Sequence, residues 1–152
     1  MNQALSLLSL LLLTSQCAIA LSLHDLDPAF ERCEAIKLQH KPELPPSSDP
    51  FWLLGREEQM TVLVYLHERS MAHCTAEAVD MLALQAFHKA VAGEPTFLDT
   101  LIKARSTSLT QAQQAQLQQV GKVELARLEA LKGFDLPFSL TDYLKLLAPK
   151  EE

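Results

Sequence analysis

Glycine is scarce in this chain of 152 residues: there are four, at positions 55, 93, 121 and 133. That excludes a Gly-rich phosphate loop and a G-x-S-x-G nucleophile elbow, both of which need clustered glycines. Asparagine occurs once, as Asn2, so the rest of the chain has no N-glycosylation acceptor. Basic clusters are also missing. Thirteen Lys and Arg are scattered among nineteen Asp and Glu, for a net charge of −6, which argues against nucleic acid and an anionic membrane surface as partners. No C-x-x-C pair is present, which removes thiol redox catalysis and haem attachment. His67-Glu68 opens an H-E-x-x-H zinc signature, but Met71 stands where the second histidine is needed.

What the chain does have begins with an apolar run. Ala4 to Leu13 is uncharged and rich in leucine. Thr14 to Gln16 is polar, and Ala18-Ile19-Ala20 places small residues at the −3 and −1 positions of a cleavage site. The run falls short of the roughly 20 apolar residues of a membrane-spanning helix. The expectation is a signal peptide over residues 1–20, cleaved after Ala20, and export to a periplasm or the cell exterior with no integral span afterwards. Cys17, preceded by Gln16, is a poor site for lipid attachment and leaves with the leader. Two cysteines then remain, Cys33 and Cys74. An even pair in an oxidising compartment predicts a disulfide.

The remainder, residues 21–152, has the length of one domain, and its signals are helical. Asp27-Pro28 supplies an N-cap with proline in the first turn, predicting a helix to about His40 with Phe30, Cys33, Ile36 and Lys37 along one side. Residues 41–49 (KPELPPSSD) form a Pro-rich linker within the domain. Asp49-Pro50 repeats the start signal for a second helix reaching Cys74, with Met60 to Leu66 apolar nearly all round. Thr75 is expected to cap a third helix, over 76–92, stopped by Gly93, and Thr96 a short fourth one to Arg105. Thr110 should open a long fifth helix over 111–132 ending at Gly133, and Ser139 a last one over 140–147. The predicted fold is therefore an all-α bundle of five to six helices with one disulfide, Cys33 to Cys74.

Four features carry possible chemistry. Met60, His67 and Met71 share a helix face, and thioether with imidazole suits copper(I); the plainer alternative is gap-filling core. Glu124 lies within the inward arc of the fifth helix, either as a buried acid with a raised pKa or as the partner of an arginine. Phe51 and Trp52, beside the linker, form either a docking site or a buried staple. Gln111 to Gln119 holds six glutamines in nine residues, so Gln113 and Gln116 offer an uncharged polar face to a partner. The function expected is that of an exported binding or accessory protein acting through protein–protein contacts, on another envelope or extracellular protein, with no cofactor. The alternatives are a copper carrier using the Met/His face and an enzyme working through Glu124.

Overall fold

The computed structural model describes residues 21–105 and 107–148. The expected signal peptide, residues 1–20, lies outside the described residues, as do Ser106 and positions 149–152. Six α-helices and no strand occur among the described residues: α1 Asp27–Gln39, α2 Arg56–Val91, α3 Thr96–Ala104, α4 Gln111–Val120, α5 Lys122–Glu129 and α6 Leu140–Leu147. Short 3-10 turns at Leu23–Leu26 and Pro50–Leu53 lead into α1 and α2. None of these helices is long and apolar enough to cross a membrane.

Local hydrogen bonding explains most helix ends. The Thr110 hydroxyl accepts from Gln113 N, and Gln113 reaches back to Thr110 N, a reciprocal capping box. The Ser139 hydroxyl caps α6 by accepting from Asp142 N. Glu58 accepts from Gly55 N at 2.8 Å to close the start of α2. The far end of α2 is closed by Glu94 N donating to Lys89 O and Gly93 N to Ala90 O, a Schellman pair that satisfies the last carbonyls.

Several predicted starts are corrected: Leu26 rather than Asp27 precedes α1 and Pro95 rather than Thr96 precedes α3, neither with a side-chain cap bond, and Asp49-Pro50 opens only the 3-10 turn, with α2 starting at Arg56 behind Gly55. Two larger boundaries also differ. Thr75 does not start a helix: α2 runs through it for 36 residues, about 54 Å at 1.5 Å per residue. The Thr75 hydroxyl donates to Met71 O at 3.0 Å instead of capping, so the residue is accommodated inside the helix. The expected long fifth helix is in fact two, α4 and α5, broken at Gly121. There φ is +88° and ψ 147°, a conformation open to glycine and strained for L side chains. A Cβ built at Gly121 meets nothing within 4 Å, so its role is the bend.

The long α2 is the spine against which every other helix packs. It serves two separate apolar clusters. The larger joins its N-terminal half, through Val62, Leu63 and Leu66, to Phe51, Leu117, Leu128, Phe138 and Tyr143. The smaller joins its C-terminal half, through Val79, Leu82 and Ala86, to Leu26 and Leu101. At roughly 2 kcal/mol for each large aliphatic or aromatic side chain fully buried, these clusters supply most of the gross stabilisation.

The expected disulfide is present. Cys33 of α1 is fully buried and bonded to Cys74, with Cα atoms 6.0 Å apart. It pins α1 to the middle of α2, across the Pro-rich linker and on the stretch between the two clusters.

A second lock lies under that linker. The Tyr143 hydroxyl donates to Gly133 O at 2.6 Å and accepts from Glu43 N at 3.0 Å. Gly133, at φ +110°, is packed so closely that a Cβ would sit 2.5 Å from Glu43 O. Phe134, Phe138 and Tyr143 stack around this node, with centroids 4.6 to 5.6 Å apart.

Candidate binding groove

The two apolar clusters meet α2 at different heights, and the surface between them is a groove of about 1090 Å³. This is slightly above the range usual for small-molecule sites. Its floor is α2 from Tyr65 to Val79, with Met71, Ala72 and Thr75 between. One wall is the first 3-10 turn and α1, through Leu26 and Phe30. The other is α3, the α3–α4 connection and α4, through Leu101, Leu109 and Leu117. Phe30, expected on the same side of α1 as Cys33, is 43 % exposed, because Ala29 and Cys33 take the buried side. Its ring stands at the edge of the groove.

The polar side chains around the groove are mostly committed to holding the walls in place. The Glu68 carboxylate accepts from Ser108 N at 3.1 Å and from the hydroxyls of Thr107 and Ser108, tying the α3–α4 connection to α2. Tyr65 donates to Glu129 at 2.6 Å, and Arg69 reaches the same carboxylate at 3.4 Å. Burial, reinforced by that carboxylate, pushes the Tyr65 phenol up to about 12. His67 bonds through Nδ1 to Phe138 O at 2.9 Å and packs edge-on against the Phe138 ring.

The residues singled out in the sequence scatter over the molecule. His67 and Met71 line the groove, but Met60 is exposed and does not. Eleven residues of helix put Met60 about 16 Å from Met71 along the axis, too far for one ion to bridge. Among the described residues no group of three His, Cys, Asp or Glu is placed to hold a metal. Phe51 is fully buried, so it belongs to the larger core and offers nothing to a partner. Trp52 is partly exposed, yet its indole N–H is bound to Pro45 O and Pro46 O at 3.0 and 2.9 Å, which staples the linker down. Gln113 is used in the α4 cap, and Gln116 accepts from the Thr61 hydroxyl at 2.7 Å.

Glu124 is the partner of an arginine. Arg127 binds Glu124 at 2.6 and 2.8 Å and Asp49 at 2.7 and 2.8 Å, and Asp49 also caps the Pro50–Leu53 turn through Phe51 N. The guanidinium holds both carboxyls below their ordinary range, the opposite of the raised value a buried general acid needs. The triad ties α5 to the end of the linker.

Sequence reasoning missed the groove itself. Its two walls come from segments some 70 to 90 residues apart, and no local pattern marks Leu26, Phe30, Leu109 and Leu117 as neighbours. Comparison of the chain with protein-family models, with curated proteins and with solved structures finds no match.

Proposed function

We propose that this chain is an exported helical binding protein, an accessory component of a periplasm or extracellular space, which takes an apolar group of its partner into the groove along α2. The observation that carries the reading is the groove: an apolar trough between two separately packed clusters, its walls fixed by the Cys33–Cys74 bridge and the Glu68 clamp. The disulfide supports export, since such bonds persist in oxidising compartments. Binding is favoured over catalysis by how the reactive groups are used. The Thr107 and Ser108 hydroxyls are held by Glu68, and His67 is turned to a backbone carbonyl, so among the described residues no nucleophile is set against a base along the groove.

The test is titration with a neutral solvatochromic dye, Nile red. The purified chain should enhance its fluorescence saturably, one dye per chain. Ala72→Trp, which places a large side chain on the exposed floor of the groove, should weaken binding at least tenfold while leaving the far-UV spectrum unchanged. A chain that gives no saturable enhancement, or an Ala72→Trp variant that binds as well as the parent, refutes the proposal.

A further inference from the structure

Resting on the groove reading above, the charges around the trough indicate what kind of molecule it would take. Seven ionisable Asp, Glu, His and Arg side chains line it. His24 and Asp27 pair with each other at 3.1 Å, and Glu34 pairs with Lys37 outside the groove. Glu68 is occupied by the α3–α4 connection, Arg69 by Glu129, and His67 by Phe138 O. Arg105, the exposed residue that closes α3, is the remaining one: among the described residues its side chain has no hydrogen-bond or ion-pair partner. Arg105 is thus a cation on the rim that no described carboxylate neutralises, in a protein whose net charge is −6. A guanidinium presents a planar fork of donors suited to a carboxylate.

The trough's length points the same way. Tyr65 to Val79 spans about 21 Å of α2, against about 15 Å for one leaflet of bilayer hydrocarbon, the depth of a single acyl chain. The apolar stretch through Met71, Ala72 and Val79 can therefore receive one extended chain while its head reaches Arg105. We propose that the groove binds a single-chain carboxylate amphiphile of the fatty-acid type, the acyl chain lying along α2 and the carboxylate at Arg105.

Displacement of Nile red from the purified chain, below the micelle threshold, tests this with four competitors: hexadecanoate, hexadecanol, hexadecyltrimethylammonium and an apolar helical peptide. Hexadecanoate should displace the dye at three- to fivefold lower concentration than hexadecanol, the size expected of one exposed ion pair, and by more over the ammonium. Arg105→Gln should erase that preference without changing hexadecanol binding, Arg105→Lys should keep it, and 0.5 M salt should reduce it. Equal displacement by all three amphiphiles, or a preference that survives Arg105→Gln, overturns the carboxylate assignment while the groove reading stands. Displacement by the peptide alone assigns the trough to a polypeptide and overturns it as well. If the dye does not bind at all, the groove reading has failed and this inference falls with it.

Discussion

Tyr143→Phe removes one oxygen atom and changes almost nothing else. The ring stays, the side-chain volume is nearly conserved, and no cavity opens. What is lost is the hydroxyl that donates to Gly133 O and accepts from Glu43 N. A buried polar group left without its partner costs about 1–3 kcal/mol. Gly133 is buried, so its carbonyl should bear a cost within that range. Glu43 is exposed, and its N–H can turn to water at smaller cost. Together the loss should be about 2 kcal/mol. For a domain of this size, unfolding entropy of about 2.1 cal/mol/K per residue converts that to a fall in Tm of about 7 °C. Far-UV circular dichroism during thermal and urea unfolding measures both quantities, and an unchanged urea slope would show that only stability moved. The linker should also loosen, because Tyr143 is what holds Glu43, so hydrogen exchange of the Glu43 and Leu44 amides should quicken more than exchange in α2. A Tyr143→Phe chain within 0.5 kcal/mol of the parent would refute the reasoning, since it would mean that both partners are solvated without the hydroxyl.

Other perturbations probe the remaining contacts. Reducing Cys33–Cys74, which closes a separation of 41 residues, should lower stability by roughly 4 kcal/mol on the chain-entropy account; a urea midpoint unchanged by reductant would contradict it. Acid should unfold the protein through Asp49 and Glu124. Their folded pKa values lie below the ordinary values because Arg127 favours the charged forms, so their stabilisation is complete above about pH 5 and is lost as pH falls through the lowered folded values. Arg127→Met should therefore flatten the pH dependence of the urea midpoint below pH 5, and an identical acid profile would remove the triad from the account. The two bends separate strain from crowding. Gly121→Ala should cost about 1–3 kcal/mol from φ alone, since its Cβ meets nothing, whereas Gly133→Ala should cost more because it also strikes Glu43 O. Equal losses would show that the crowding relaxes freely.

Much of this architecture is legible in the residues because its causes are local. Asp27-Pro28, Thr110 and Ser139 sit at the helix starts they signal, and the bonds that do the work, such as Thr110 with Gln113, span three residues. The Cys33–Cys74 pairing was expected on the premise that Cys17 leaves with a signal peptide, and the bond is present. The candidate site was far less legible. Of the residues picked out for chemistry, Glu124, Gln113 and Gln116 proved to be structural partners, and only His67 and Met71 border the groove.

Composition and local spacing by themselves determined that the chain is helical and where most helices start, since hydrogen bonds between residues three or four apart settle those questions before any tertiary contact forms. The fold alone decided that α2 continues through Thr75, that Gly121 divides α4 from α5, that Phe51 is buried while Phe30 is not, and that Arg105 has no partner among the described residues. Each of those depends on which surfaces meet across α2, and contacts between segments 30 to 100 residues apart leave no periodic trace in the order of the amino acids.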